Sequence, residues 1–402
     1  MRLSNILEPR LGARGLTKGL SKIKELEISG CEELTSSLEK EDRCFPHLIS
    51  LVRLVIEGNS ALVEDLGKEL EGLLQVPILA CKLEYLEINN CERLSKLPKG
   101  LRQLSFLQEL HISHCSSLVS FPDVGLPPSL KVLEIHYCPS LTYIAKYQIP
   151  QNLKRIEIWE CGSLKSLVEE EKELVVSCSS SFSVSLEHLE VHGCPSLTSL
   201  SPRGQLYRAL KHLEIYACEG LELIASDRDC GKLEVSPEDI RNLTSLKELE
   251  IDCLEGLTSF PSNLTSLEIS KLKSCKRLWE LEWGLHKLTS LKYLSIKSED
   301  PDVLSFPPDG KEEMLLPKSL TALTIGWFPN LKKLSNGIQF LTSLQTLSLK
   351  DCPKLASIPE EGLPLSLGQL SIVRCPLLKE RCQPGKGRYW PKISHIPHHT
   401  WL

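Results

Sequence analysis

The sequence is poor in aromatic residues and contains no long hydrophobic run. Phe, Trp and Tyr together make up 5% of the 402 residues, although the hydrophobic residues as a whole make up 41%. Leucine and isoleucine must therefore fill most of the core. The longest apolar stretches, such as LLQVPILAC at residues 73–81, are too short to span a bilayer as a helix.

The sequence also has a low net charge and lacks the common motifs of catalytic and ligand-binding sites. The formal net charge is −5 at pH 7, which is small for this length and gives no reason to expect nucleic-acid binding. The sequence lacks the G-x-x-x-x-G-K-[ST] motif of phosphate-binding loops, the G-x-S-x-G and H-E-x-x-H motifs of hydrolases, and the EF-hand loop. We therefore expect a chain that is not an enzyme and holds no cofactor or metal ion.

The first residues, MRLSNILEPRLGARGL, contain no continuous apolar segment of the kind that secretory signals have. The chain has 16 cysteines. Because extracellular disulfide frameworks belong mainly to short exported chains, we expect reduced thiols here. These observations favour a cytoplasmic protein.

The dominant feature of the sequence is a repeat with the frame LxxLxIxxCxxLxxLP. Neighbouring copies from Leu83 to Leu153 begin 24, 23 and 23 residues apart, which lies within the spacing of leucine-rich repeats. The first apolar residues of about fourteen copies are Ile23, Leu51, Leu83, Leu107, Leu130, Leu153, Leu186, Leu210, Leu246, Leu264, Leu291, Leu320, Leu344 and Leu367.

Each repeat predicts one β-strand. In LEVHG, Leu189 and Val191 alternate with Glu190 and His192, so one side of the strand faces inward and the other outward. One repeat cannot bury its apolar side alone, whereas stacked repeats bury a continuous column. The sequence predicts an α/β repeat fold, a leucine-rich-repeat solenoid with the shape of a curved horseshoe. Its concave face should carry a parallel β-sheet, and its convex face should be mostly irregular or short-helical.

The repeat also suggests domain boundaries. We expect an N-terminal lead-in at residues 1–22, the solenoid at 23–378, and a basic C-terminal cap at 379–402. Longer repeats should place their extra residues in loops on the convex side. The segments GLRQL, DIRNL, GLHKL and GIQFL are expected to form short helical turns before their strands.

The recurring cysteine is expected to be structural. Other copies of the repeat have Asn59, Leu254 or Phe328 at its position, and leucine or phenylalanine could not replace a metal ligand. A small buried residue with a weak S–H donor fits the turn. HISHC and the cysteines and histidines of the tail lack zinc-ligand spacing. The expected structural turn cysteines are Cys31, Cys91, Cys115, Cys138, Cys161, Cys194, Cys218, Cys352 and Cys375.

The outward-facing strand positions predict a surface that binds a protein partner. They combine a row of glutamates with His, Trp and Tyr side chains, and aromatic side chains in a charged frame are typical of binding hot spots. The alternatives are that the rings only stack along the sheet and that the basic residues are ordinary solvated lysines. Lys131, Lys154, Lys211 and Lys247 are expected to offset part of the acidic charge. The expected partner-binding residues are His111, Glu134, His136, Tyr137, Glu157, Trp159, His188, Glu190, His192, His212, Glu214, Tyr216, Lys297 and Lys350.

Several segments resemble the repeat domains of one protein family. LPKGLRQLSFLQELHISHCSSLVSFP, GLPPSLKVLEIHYCPSL and HKLTSLKYLSI resemble plant intracellular disease-resistance proteins, specifically the coiled-coil class of nucleotide-binding leucine-rich-repeat receptors. The ending CPLLKERCQPGKGRYWPKISHIPHHTWL resembles the C-terminal end of that class. The resemblance extends from Ile23 onward.

This resemblance implies a function in plant immunity. Such a domain senses a pathogen effector, directly or through a guarded host protein, and holds the receptor's nucleotide-binding domain inactive. ADP or ATP is then expected only on that domain, which these residues do not contain. The receptor would be cytoplasmic, nucleocytoplasmic or peripheral at the plasma membrane. The alternative is the substrate-binding arm of a ubiquitin ligase or another non-enzymatic adaptor.

Overall fold

The computed structural model describes most of the chain. The described residues are 2–4, 22–29, 50–58, 63, 82–146, 148–169, 184–198, 200, 207–218, 220, 243–251, 260–261, 263–272, 285–308 and 316–402. The chain forms two compact units. The first contains Met1–Leu210, Ala217–Glu222 and Cys230–Val235, and the second contains Lys211–Tyr216, Leu223–Asp229 and Ser236–Leu402.

The first unit is built on parallel strands that pair in sequence order. Its described strands are β1 (Arg2–Ser4), β2 (Glu25–Ser29), β3 (Arg53–Glu57), β4 (Tyr85–Asn89), β5 (Glu109–Ser113), β6 (Val132–His136), β7 (Arg155–Trp159) and β8 (His188–His192).

The second unit has the same parallel arrangement. Its described strands are β9 (His212–Tyr216), β10 (Glu248–Ile251), β11 (Ser266–Leu272), β12 (Tyr293–Ser298), β13 (Ser305–Phe306), β14 (Ala322–Gly326), β15 (Lys333–Leu334), β16 (Thr346–Lys350), β17 (Gln369–Val373) and β18 (His398–Trp401). Strands β13 and β15 form a separate two-stranded parallel sheet. The remaining strands form the main sheet of this unit in chain order.

The core of each unit is built from the same two strand positions, which recur along the sheet. The second and fourth residues of the repeat strands with described side chains point inward, as Leu110 and Ile112 do in β5 and Leu347 and Leu349 do in β16. The register places each Leu opposite the corresponding Leu or Ile of the next strand. Burial of one such side chain contributes about 1.5–3 kcal/mol. The prediction of a parallel leucine-rich-repeat solenoid is therefore confirmed, with a strand in each of the fourteen repeats.

After many of the repeat strands, the next residue adopts an unusual backbone conformation. His114, Tyr137 and Glu160 have φ near +54°, and Trp327, Asp351 and Arg374 are also left-handed. Such angles are uncommon for residues with a Cβ. These residues make a sharp turn, and the backbone hydrogen bonds between neighbouring repeats continue through it. For example, Tyr137 N donates to Trp159 O at 2.8 Å. The next residue is the recurring cysteine, which turns into the core.

Helices are few and short among the described residues. Two of the expected helical segments form 3₁₀ helices at Lys99–Gln103 and Asn336–Phe340, and a third lies at Leu285–Lys287. DIRNL lies outside the described residues except for Leu243. No helix in this part of the chain is long and apolar enough to cross a bilayer.

The C-terminal tail folds against the last repeat. It contains helix α1 (Pro376–Arg381), helix α2 (Trp390–Ile393) and strand β18, which continues the sheet beside β17. His399 packs between Trp390 and Trp401, with ring centroids 5.3 Å from each. The repeat pattern predicts neither β1 nor β18, and the boundaries proposed at residues 22 and 378 stay predictions.

Candidate protein-binding surface

Among the described side chains, the first, third and fifth residues of the repeat strands lie on the side of the sheet opposite the core and form the exposed sheet face. The third residues make the central row of this face, and the fifth residues make the outer row. Parallel strands lie about 4.8 Å apart, so equivalent side chains on adjacent strands are close neighbours.

Three glutamates are adjacent in the central row of the first unit. Glu134, Glu157 and Glu190 are in register on β6, β7 and β8, and Glu157 is only 8% exposed. A buried carboxylate needs a charged or hydrogen-bonding partner, because loss of its hydration is costly. The structure supplies such partners on the same face.

These partners come mainly from the first residues of the strands. Arg155 Nε donates to Glu157, and His188 Nε2 contacts Glu190. In the central row itself, His111 Nδ1 lies 2.6 Å from Glu134 Oε2. The expectation that the neighbouring lysines offset this charge is wrong for two of them. Lys131 donates to Gln108 at 2.9 Å, and Lys154 lies 3.8 Å from Glu187.

A second network surrounds Glu87 on β4. Tyr85 donates to its carboxylate at 2.7 Å, Asn89 at 2.7 Å and Arg53 at 3.0 Å. Burial opposes ionisation, but these donors outweigh it and hold the pKa of Glu87 below its usual range. Arg53 also lies over the Tyr85 ring, 3.5 Å from its centroid. Sequence reasoning missed Arg53, Tyr85 and Arg155, which are first residues of their strands, because at that position it singled out only His188 and His212.

The aromatic residues of the outer row stack along the sheet. The Trp159 ring lies 5.4 Å from His136 on one side and 4.8 Å from His192 on the other. Tyr137, one residue past β6, stacks on His114 at 4.7 Å. Trp159 nevertheless keeps 37% of its surface exposed, and Tyr137 keeps 48%. The rings therefore stack along the sheet and still present apolar surface to solvent.

His136 is neutral at physiological pH in this arrangement. Burial is the main cause that lowers the pKa of His136. The nearby His111 and His114 lower it further, whereas Glu134 and Glu157 act in the opposite direction. Its Nε2 is buried and makes no hydrogen bond within the described part of the chain. The outer row therefore presents stacked aromatic rings beside a charged central row.

The second unit begins with a similar acidic row. Glu214, Glu250 and Glu268 are in register on β9, β10 and β11. Burial, followed by repulsion from Glu214 and Glu268, raises the pKa of Glu250. His212 Nδ1 lies 2.8 Å from Glu248 and its Nε2 lies 3.6 Å from Glu214.

The remaining residues predicted to bind a partner in this unit lie at the ends of strands. Tyr216 is an exposed side chain at the end of β9. Lys297 forms an ion pair with Glu268 and lies 5.5 Å from the centre of the Trp327 ring. Lys350 is exposed at the end of β16. Trp327, which the pattern did not identify, is the exposed aromatic residue beside these lysines.

The described cysteines lie in the core and make weak backbone contacts. Cys31 lies outside the described residues. Seven of the turn cysteines point a thiol at the carbonyl oxygen two residues earlier, at 3.3 to 3.6 Å, and the Cys218 thiol lies 3.5 Å from Val191 O. All nine described cysteines, which include Cys382, are buried thiols that form no disulfide.

One group on the exposed face has the composition of a metal site. Glu134, His136 and Glu157 each offer a ligand atom within 4.8 Å of the others. The two carboxylates, however, already accept hydrogen bonds from His111 and Arg155. We therefore assign no metal ion to these residues.

The chain is similar in sequence to disease-resistance proteins of Arabidopsis thaliana. It is 32% identical over 353 residues to disease resistance protein At3g14460, an alignment that covers 82% of this chain and 24% of that protein. The chain is a leucine-rich-repeat homologue of plant disease-resistance proteins. No protein-family model matches it.

Two further plant disease-resistance relatives match shorter parts of the chain. Disease resistance protein RPS6 is 40% identical over 75 residues, covering 19% of this chain and 6% of that protein. Disease resistance protein RPP4 is 28% identical over 202 residues, covering 49% of this chain and 15% of that protein. This plant disease-resistance homologue thus spans less than a quarter of the length of these relatives.

The fold was also compared with solved structures. A leucine-rich-repeat protein of Leptospira interrogans aligns with 95% of this chain and 90% of its own, with a TM-score of 0.45 and 18% identity. The sequence relatives and the parallel solenoid together indicate a leucine-rich-repeat domain that is similar to part of plant disease-resistance proteins. Domains of this type are typically non-enzymatic.

Proposed function

We propose that this chain senses a pathogen effector, or a host protein that an effector modifies, on behalf of a plant immune receptor. The observation that carries the proposal is the similarity to At3g14460 across 82% of the chain. The exposed sheet face of the first unit supports it, because apolar rings and charged groups converge there on adjacent strands.

Trp159 and Tyr137 are the proposed anchors of this interaction. Hot-spot residues in protein interfaces are enriched in Trp, Tyr and Arg and lie within a polar frame. Stacking on His136, His192 and His114 fixes the two rings before any partner arrives. A pre-ordered ring loses less conformational entropy on binding.

The proposal also covers the class of the receptor, its location in the cell and the domain that binds nucleotide. The receptor would be of the coiled-coil nucleotide-binding class and would act inside the cell, in the cytoplasm, in the nucleus or at the inner face of the plasma membrane. Free thiols at all nine described cysteines agree with a reducing compartment. This chain would carry no catalytic residue, and ADP or ATP would bind to the receptor's nucleotide-binding domain. The plant disease-resistance relatives do not favour the ubiquitin-ligase alternative.

The test is recognition by the complete receptor that carries this repeat region. Wild type and the Trp159→Ala/Tyr137→Ala variant are expressed in leaves, and cell death is scored with and without the matching pathogen. In leaves matched for the amount of receptor protein, we expect the double variant to lose at least about tenfold in response, since central aromatic anchors contribute 2 kcal/mol or more.

Phe340→Ala is the matched control. Phe340 is 38% exposed, close to the 37% of Trp159, but lies at the end of a 3₁₀ helix away from the exposed sheet face. It should respond as wild type does. Full cell death in the double variant would rule out this surface. If the wild-type receptor conferred no resistance against any pathogen, the immune function would be ruled out.

A further inference from the structure

The central row of the exposed face changes from acidic to uncharged residues within the second unit. Glu268 on β11 is followed in register by Ser295 on β12, Thr324 on β14 and Ser348 on β16. These three residues are small and buried. The Ser295 hydroxyl makes no hydrogen bond within the described residues. The sheet therefore has a shallow, uncharged centre over β12, β14 and β16, where the first unit has glutamates.

Cations lie along the outer edge of this centre. Lys297, Gly326 and Lys350 occupy the outer row in register. A Cβ atom on Gly326 would lie 3.6 Å from Lys297 Cγ and 3.6 Å from Lys350 Cβ. The absence of a side chain there lets the two lysine stems approach each other over the strand between them.

Trp327 lies beside these lysines and is fixed in place. Its Nε1 donates to Asp351 Oδ2 at 3.2 Å, and Asp351 is in turn bound by Arg374 Nη2 at 2.8 Å. The hydrogen bond from Arg374 holds the pKa of Asp351 below its usual range. The indole stays 38% exposed. Lys297, Trp327, Lys350 and Arg374 together form what we call the Trp327 surface.

The charges of this surface are unbalanced. Asp351 compensates Arg374, and Glu268 compensates Lys297. Lys350 makes no ion pair within the described part of the chain. Because the central row beside it carries no carboxylate, an approaching acidic group would meet Lys350 without repulsion from the sheet.

We propose that the Trp327 surface binds an extended acidic segment of a partner protein. A carboxylate would pair with Lys350 beside the uncharged centre, and an apolar neighbour in the segment would pack on the exposed indole. Complementary charges speed the encounter of two proteins and favour the correct partner, and a Trp anchor supplies contact area. This surface is distinct from the Trp159 surface of the first unit, and its binding does not depend on a function in immunity.

The experiment uses the full 402-residue chain and a fluorescein-labelled peptide in which glutamates alternate with leucine and glycine. Anisotropy titrations at 50 and 300 mM NaCl measure its affinity. We expect binding that weakens with salt, and a loss of about tenfold for Lys350→Glu and for Trp327→Ala. Lys354→Glu is the matched control, because it changes the net charge equally but lies outside this surface, where Lys354 Nζ donates to Asn330; it should stay within twofold of wild type.

Two further probes give this test its specificity. A peptide of the same length with lysine in place of glutamate should not bind. A 12-nucleotide single-stranded DNA should bind at least tenfold more weakly than the acidic peptide, and equal or tighter binding of the DNA would replace the proposal with a general polyanion site. Absence of binding by the acidic peptide, or equal losses in Lys350→Glu and Lys354→Glu, would overturn it.

Discussion

The indole of Trp159 lies flat on the imidazole of His192, with ring centroids 4.8 Å apart and ring planes within 5° of each other. The two residues end adjacent parallel strands in register. This contact joins two repeats on the side of the sheet that faces solvent. It gives the exposed face of the first unit a fixed shape as well as apolar surface.

The Trp159 stack should stabilise the first unit. Replacement of Trp159 by Ala removes ring contacts with both His136 and His192, and we expect a loss of about 1–2 kcal/mol in the free energy of unfolding. Trp159→Phe should restore at least half of this loss, because a ring still occupies the position. Urea unfolding followed by circular dichroism provides the measurement, and an unchanged midpoint in Trp159→Ala would show that the stack contributes nothing.

Arg155 should be needed to keep Glu157 buried. Arg155→Met leaves the carboxylate of Glu157 without its guanidinium partner, and we expect a cost of about 1–3 kcal/mol. The double variant Arg155→Met/Glu157→Gln should recover most of the stability, since no charge then remains unpaired. Lys131→Met, which removes an exposed cation bound only to Gln108, is the control. Additive effects of the two single changes in a double-mutant cycle would argue against this pairing.

Glu250 should make folding less favourable at neutral pH. Its pKa is raised in the folded state by burial and by Glu214 and Glu268, so its contribution to stability is lost as the pH rises through that value. We expect Glu250→Gln to stabilise the chain by roughly 0.5 kcal/mol at pH 7, the range for opposed like charges. At pH 3 the carboxyl is protonated in both states, and the difference should disappear. Thermal unfolding at both pH values, with the exposed Glu299→Gln as control, tests this; an equal gain at pH 3 would contradict it.

The described cysteines should be unreactive in the native chain. Burial raises the pKa of Cys382 to about 12, so roughly one thiol in ten thousand is ionised at pH 8. The turn cysteines are buried as well. Alkylation with iodoacetamide followed by peptide mass spectrometry should label these positions only slightly without urea and fully in 6 M urea. Rapid native labelling of Cys138 or Cys161 would show that the turn cysteines are reactive groups and not core residues.

The sequence by itself determined the stack of parallel strands and the residues that face inward. A spacing of 23 or 24 residues and the alternation within LEVHG are local properties, and they have the same consequence in every copy of the repeat. Because each strand pairs with the next in register, the same pattern also placed Glu134, Glu157 and Glu190 side by side, together with His136, Trp159 and His192.

Only the tertiary structure decided how those side chains are paired. Arg155 and His188, not the neighbouring lysines, meet the glutamates, because pairing depends on side-chain torsions and on the register of adjacent strands. The position of Trp327 and the edge strands β1 and β18 have no periodic signal, and the left-handed residues after the strands recur without a common residue type. Such features arise from contacts between repeats, and a pattern that describes one repeat at a time does not contain them.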